Sequence, residues 1–220
     1  RLAIERNWAI VAVSLDVEKA FDSAWHDGIR QKLILLGLPA KMTRILSSFL
    51  TDRTIRVRVR EELSAPVRLH AGTPQGSVLS PLLYVIYVND APLSSSLRED
   101  SGQFADDISS WALAKKRETA CNHLQKTLNN IEGWCNKWRI KLNTEKTQLV
   151  CFSSTKKDSD DSLSLYGKKL KTQSKLKVLG VSFSYQGCLQ HHCKERISKA
   201  NQSLNLLKCV KGQGWGASRK

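Results

Sequence analysis

Three carboxylates stand out for their setting: Asp16, Asp106 and Asp107. Leu15 precedes the first, and the other two lie adjacent between Phe104 and Ile108. Adjacent carboxylates in apolar surroundings are costly unless a positive charge joins them. Magnesium suits the task, because it takes oxygen ligands and combines a few carboxylates with substrate phosphates. Two such ions roughly 4 Å apart activate an attacking hydroxyl and hold the leaving oxygens of a phosphoryl transfer. A bare Asp-Asp pair is more often a solvated turn, so the flanking sequence has to decide between the two readings.

Those acids need elements to aim them. Trp8 to Leu15 is an apolar run rich in Val and Ile, which reads as a buried strand delivering Asp16 at its tip. Ile29, Leu33 and Leu36 recur at helical spacing until Gly37 and Pro39 stop the helix. Ile45, Leu46, Phe49 and Leu50 mark a second helix. Ile55 to Arg60 alternates apolar residues with Arg, predicting a half-exposed strand with Arg56, Arg58 and Arg60 on one face. Val67 to His70 would return as its hairpin partner. Leu79 to Val88 has helical spacing, Ser94 to Ser101 reads as a loop, and Phe104 to Ile108 is a short segment around the two acids.

Ala120, Leu124, Leu128, Ile131, Trp134 and Trp138 mark a long amphipathic helix. Leu149 to Phe152 reads as a strand, Ser153 to Ser162 as a polar hairpin loop, and Leu176 to Phe183 as a strand pair or bend around Gly180. Ile197, Ala200, Leu204 and Leu207 mark a last helix before a loose Gly-rich basic tail from Gly212 to Lys220. Asp22 reads as a cap for the helix entered at Ser23 or as a residue that orients the loop, and is not assigned to the metal. The order predicts an α+β fold, an antiparallel sheet packed on helices lying on one side.

The chain of 220 residues is 41% hydrophobic, enough for a buried core and too rich for a disordered chain. Its formal charge of +15 points to a polyanion, nucleic acid being the commonest. No apolar run of about 18 residues occurs, so no membrane partner is expected. The six cysteines (Cys121, Cys135, Cys151, Cys188, Cys193 and Cys209) form no C-x-x-C pair, which reads as a reduced intracellular protein. Arg1 to Asn7 lacks the shape of a signal peptide, and the absence of an initiator Met reads as a fragment of a longer polypeptide.

The flanking sequence resembles a known family. Leu15-Asp16-Val17-Glu18-Lys19-Ala20-Phe21-Asp22 resembles the first palm motif of reverse transcriptases. Gly72-Thr73-Pro74-Gln75-Gly76-Ser77-Val78-Leu79-Ser80-Pro81 resembles the second, and Phe104-Ala105-Asp106-Asp107 the third. Leu142-Asn143-Thr144-Glu145-Lys146-Thr147 resembles the fourth, and Leu179-Gly180-Val181 the fifth, the primer grip. All five occur in the family's order and span nearly the whole chain. The form Asp-x-x-Lys-Ala-Phe-Asp-x-x-Trp-His and the Lys146-Thr147 context resemble non-LTR, LINE-type retrotransposons, nearest the jockey-like clades.

The resemblance implies a polymerase palm with partial fingers and the start of a thumb. It implies an RNA-directed DNA polymerase using two Mg²⁺ ions, with Mn²⁺ a possible substitute. Asp16, Asp106, Asp107 and the main-chain carbonyl of Val17 would be the metal ligands. Phe21 would lie under the incoming sugar and leave no room for a 2′-hydroxyl, selecting dNTPs. Gln75 and Gly76 would line the nucleotide pocket, Gly76 permitting close backbone approach. Lys146 would donate a proton to departing pyrophosphate. Leu179, Gly180 and Val181 would hold the primer end. Arg56, Arg58 and Arg60 form one candidate patch for template–primer phosphates, and Lys168, Lys169, Lys171, Lys175 and Lys177 another. An RNA–DNA hybrid is read by shape and sugar contacts.

The implied partners are an RNA template, a DNA primer, dNTPs and the element's RNA in a ribonucleoprotein, in nucleus and cytoplasm. Residues 1–185 would be palm, with fingers-side helices and hairpin at about 29–70, and residues 186–220 the thumb's first helix and a basic tail. Most of the fingers and any endonuclease would lie elsewhere in the polyprotein, so the isolated chain is expected to be a poor polymerase. A viral RNA-directed RNA polymerase is disfavoured by Phe21, because RNA synthesis needs space there. A co-opted fragment that only binds nucleic acid is the other rival. Cys188, His191, His192 and Cys193 mimic a zinc site but lie too close in sequence to turn easily toward one tetrahedral ion.

Overall fold

The computed structural model describes residues 8–94, 96, 98–152 and 163–210. The expectations for Arg1 to Asn7, Ser153 to Ser162 and the tail from Gly212 lie outside the described residues. Strand β1 (Ala9–Leu15) leads into a single helical turn, α1 (Ala20–Ser23), then helices α2 (His26–Leu35) and α3 (Ala40–Leu50). Four two-residue strands follow: β2 (Thr54–Ile55), β3 (Arg58–Val59), β4 (Glu62–Leu63) and β5 (Val67–Arg68). Helix α4 (Leu79–Val88) precedes the hairpin of β6 (Glu99–Phe104) and β7 (Asp107–Ala114). Helix α5 (Arg117–Lys137) and β8 (Gln148–Phe152) come next. Two small hairpins, β9 (Ser164–Leu165) with β10 (Lys168–Lys169) and β11 (Lys175–Val178) with β12 (Val181–Ser184), precede helix α6 (Gln190–Val210).

The centre is a four-stranded antiparallel sheet in the order β6-β7-β1-β8. Val11, Val13 and Leu15 alternate along β1 and are fully buried in the main core with Leu83, Tyr84, Leu124, Leu128 and Ile131 of α4 and α5. Ala12 and Val150 point to the opposite face, where Leu176 of β11 covers them. Burial on both faces explains why β1 reads as a continuous apolar run rather than an alternating one. The sheet is therefore covered by helices on one face and partly by the β11–β12 hairpin on the other. The expectation of helices on one side holds, with that hairpin added.

Two local expectations are corrected. Glu99 to Ser101 belongs to β6, not to a loop. As the edge strand, β6 pairs only with β7 and its side chains stay partly or fully exposed, so it carries no apolar signal. Ile55 to Arg60 is not one strand. Thr54–Ile55 pairs with Val67–Arg68, whereas Arg58–Val59 pairs with Glu62–Leu63. Arg60 sits in the turn of that second hairpin at φ 55°, so the three arginines do not share a strand face. All three are exposed.

Candidate active site

The sheet register brings the acids together. Leu15 pairs with Ile108, so the next step along each strand sets Asp16 opposite Asp107. Phe104 pairs with Asp107 across a two-residue turn of Ala105 and Asp106. Ala105 takes φ 52°, which lets the hairpin reverse that tightly. The three carboxylates thus share one end of the sheet. The Asp107 carboxyl is held above its usual range, first by desolvation and then by the charges of Asp106 and Asp16, with Lys177 opposing. Lys146 Nζ stands 3.7 Å from Asp16 Oδ2.

This is a set of hard oxygen donors whose mutual repulsion is only partly offset by two lysines, and it fits divalent cations by charge and ligand type. Among the described residues, no three His, Cys, Asp or Glu side chains converge closely enough to hold one ion. The acids share a sheet end, not a common point.

The segment after Asp16 is stitched to neighbours on both sides. Glu18 N donates to Lys141 O (2.7 Å) and Asn143 N donates to Asp16 O (2.8 Å), framing an antiparallel bridge between Val17 and Leu142. In that bridge geometry the N–H and C=O of Val17 point away from Leu142, toward the β7 side of β1. The Val17 carbonyl is therefore aimed to the side that carries Asp107. Lys146 is placed by a capped turn. The Asn143 side-chain oxygen accepts from Glu145 N (3.0 Å) and Lys146 N (3.2 Å), and Thr147 Oγ1 donates to Asn143 O (2.8 Å). Asn143 and Thr147 are thus the positioning residues of this motif, and Asn followed by a polar run was the readable signal.

The first two motifs interlock. Thr73 N donates to Phe21 O and Gly72 N to Ala24 O, each at 2.8 Å, and Trp25 bridges Ala71. His26 is buried with Nε2 2.7 Å from Gly72 O. Gly72 takes φ 93°, and a Cβ there would stand 2.7 Å from the Asp22 carbonyl oxygen. Asp22 does not act as a helix cap. It lies inside α1, and its carboxylate accepts from Gln75 Nε2 at 2.9 Å. That bond uses one donor of the exposed Gln75 amide, and Gly76 is exposed at φ 83°. Phe21 is half-buried and leans on Tyr84 of α4, ring centroids 4.8 Å apart. Tyr84 is buried and its hydroxyl has no hydrogen-bond partner among the described residues. In the sequence Tyr84 is one residue of a helically spaced apolar run, and His26 stands out only as the end of the Trp-His form.

The β11–β12 hairpin turns through Leu179 (φ 46°) and Gly180 (φ 81°). Arg196 of α6 donates to Gly180 O at 2.7 Å, and Lys177 N donates to the Gln148 side chain at 2.8 Å. Leu179 is exposed despite its apolar side chain. Lys177 faces the acids electrostatically. Lys175 is engaged by His191 and Glu195, so it does not stand in a free patch with Lys177. Lys168 and Lys169 lie on a separate hairpin. In the tract from Cys188 to Cys193, His191 pairs with Glu195 (2.8 Å) and His192 Nδ1 accepts from Ser182 N (3.3 Å).

Comparison with known proteins accords with this geometry. A family profile described as "Reverse transcriptase (RNA-dependent DNA polymerase)" matches residues 3–183. The chain is 33% identical over 204 residues to the probable RNA-directed DNA polymerase from transposon BS of Drosophila melanogaster, covering 90% of this chain and 22% of that protein. It is 30% identical over 196 residues to the RNA-directed DNA polymerase from mobile element jockey of the same species, covering 86% and 21%. The chain thus spans about a fifth of the length of these curated relatives. Apo telomerase from Candida tropicalis, truncated from its C-terminal domain, has the same fold with a TM-score of 0.58 at 14% identity, over 82% of this chain and 34% of that one.

Proposed function

The chain belongs to the reverse transcriptase (RNA-dependent DNA polymerase) family, and from that premise we propose that it is the palm of a non-LTR retrotransposon polymerase. It would add dNTPs to a primer 3′-hydroxyl on an RNA template. The observation that carries this reading is the sheet register that sets Asp16 opposite Asp107, with Asp106 on the adjoining turn.

Asp16, Asp106, Asp107 and the Val17 carbonyl would hold two Mg²⁺ ions, with Mn²⁺ as a substitute. Bound there, the ions would supply charge stabilisation of the transferring phosphoryl group and a more acidic attacking hydroxyl. The chain's own residues do the positioning. Phe21, backed by Tyr84, forms a flat floor that fits a deoxyribose and excludes a 2′-hydroxyl. Gln75 fixes Asp22 and with it the loop below the nucleotide. Lys146, held by the Asn143 turn, is the proton donor to the leaving pyrophosphate. Leu179, Gly180 and Val181 present a turn, braced by Arg196, to the primer end. Lys177 and the exposed Arg56, Arg58 and Arg60 would meet template–primer phosphates, and Lys175 would do so only by leaving Glu195. The working particle would be a ribonucleoprotein with the element's RNA, in nucleus and cytoplasm.

Primer extension on an RNA template with dNTPs and Mg²⁺, wild type beside Asp106→Asn, tests the proposal. Extension by the wild type alone is expected. Equal extension by both proteins would remove Asp106 from the chemistry. Phe21→Ala is expected to admit NTPs that the wild type rejects.

A further inference from the structure

A second basic concavity lies apart from the three acids. It is an open cavity of about 480 Å³ between the end of α5, the strand segment that follows it and the β9–β10 hairpin. Arg139, Lys141 and Lys168 line it together with Asn136, Thr144 and Tyr166. No Asp or Glu lines it. Lys141 is paired with Glu18 at 2.9 Å, and Glu132 accepts from the Tyr166 amide at 2.9 Å, so Arg139 and Lys168 are the lining cations without a described carboxylate partner.

The cations come from two separate segments, Arg139 and Lys141 just after α5 and Lys168 on the β9–β10 hairpin. Arg139 takes φ 54°, which ends α5 and carries its guanidinium over the Trp25 ring at 4.2 Å. That stacking fixes the planar cation without using its hydrogen-bond donors. Lys168 is exposed on β10, directly after the tight turn at Tyr166 and Gly167. Cations beside a helix C-terminus also complement its dipole, which accounts for Lys137 and Arg139. It does not account for Lys168, which reaches the cavity from another hairpin. Arg139 and Lys168, with the Glu18-paired Lys141 and the neutral donors Asn136 and Thr144 beside them, offer a phosphate a cationic setting with no acid in the lining.

We propose that this cavity binds a backbone phosphate of single-stranded RNA outside the catalytic cleft. The cavity is open, so a continuing chain can enter and leave, and the chain as a whole carries +15. Its wall also touches the catalytic strand, because Leu142 bridges Val17 and Lys141 O accepts from Glu18 N. RNA held here would therefore sit directly behind the segment that bears Asp16. The inference does not need the polymerase reading, since binding alone is measured.

The test is fluorescence anisotropy with a labelled single-stranded RNA of mixed sequence, in EDTA, across a salt series. Lys168→Glu and Arg139→Gln are compared with Lys41→Glu on α3, which makes the same charge change as Lys168→Glu away from the cavity. Lys168→Glu is expected to weaken binding about tenfold at low salt and to lower the log–log salt slope by roughly 0.7, the value of one single-strand phosphate contact. Arg139→Gln is expected to act in the same direction. An equal loss in Lys41→Glu would overturn the site in favour of bulk charge. A free nucleoside triphosphate is the second probe. Loss of its binding in Lys168→Glu with RNA binding unchanged would overturn the backbone reading. Thermal midpoints within about a degree of wild type would show that each variant is folded.

Discussion

At the scale of the residue, the charge state of Asp107 links stability to chemistry. Desolvation and the neighbouring Asp106 and Asp16 carboxylates raise its pKa. A raised carboxyl pKa means the folded state binds the proton more tightly than the unfolded chain. The stabilising contribution is therefore full below the unfolded carboxyl pKa and is lost as pH rises through the raised folded value. At neutral pH the ionised group is a liability that a divalent cation would relieve. Asp107→Asn should thus abolish extension yet raise the thermal midpoint at pH 7 in EDTA. The gain should shrink as pH falls through the carboxylate range, and Mg²⁺ should raise the wild-type midpoint more than the variant's. A variant midpoint below wild type in EDTA would sink the argument.

Tyr84 makes the same point with a neutral group. Its hydroxyl is buried without a partner among the described residues, and burial pushes its pKa well above the usual tyrosine range, with Asp106 adding to the shift. An unsatisfied buried hydroxyl costs about 1–3 kcal/mol. Tyr84→Phe should keep the contact with Phe21 and stabilise the fold by about 1 kcal/mol in urea denaturation. Destabilisation instead would mean that the hydroxyl has a partner. The three acids were legible in the sequence because the motifs around them resemble a family's in its own order, with Asp16 also ending an apolar strand. Tyr84 was not, because an aromatic at helical spacing looks the same whether or not its hydroxyl is satisfied.

At the scale of the element, two turns carry conformations their neighbours enforce. Leu179 is non-glycine at φ 46° and solvent-exposed, a state that costs of order 1–3 kcal/mol and persists where the surroundings impose it. Here Arg196 grips the Gly180 carbonyl and Gln148 holds Lys177 N. Leu179→Gly should stabilise the fold by about 1 kcal/mol in the same denaturation series while weakening primer binding; unchanged primer affinity would make the exposed leucine dispensable. Gly72 is the opposite case. Gly72→Ala would bring a Cβ against backbone, not against a pliable side chain. It should cost about 2 kcal/mol or more and separate the first two motifs. Elements with buried periodicity, such as α5 and β1, were legible to within a few residues. The edge strand β6 and the broken β2–β5 region were not, because exposed strands are specified by their partners and turns rather than by an apolar period.

At the scale of the whole molecule, the excess of positive charge has to be sorted into cations that are spent and cations that are available. Arg30 pairs with Asp27, Arg68 with Asp52, and Lys175 with Glu195. Arg56, Arg58 and Arg60 have no carboxylate partner among the described ion pairs and project from short exposed hairpins on the chain between α3 and α4. Because Arg56 lies between β2 and β3, Arg58 on β3 and Arg60 on the turn that follows, they do not form the flat stripe that alternation predicts and present instead a curved basic surface. A curved surface suits a duplex backbone, whose phosphates are met by charge without regard to base. Replacing all three by Ala should weaken binding to an RNA–DNA duplex equally for unrelated sequences. Each lost phosphate contact should lower the log–log salt slope by a little under 1. An unchanged slope would identify these arginines as a solvated face and leave Lys177, beside the acids, as the cation that meets the duplex.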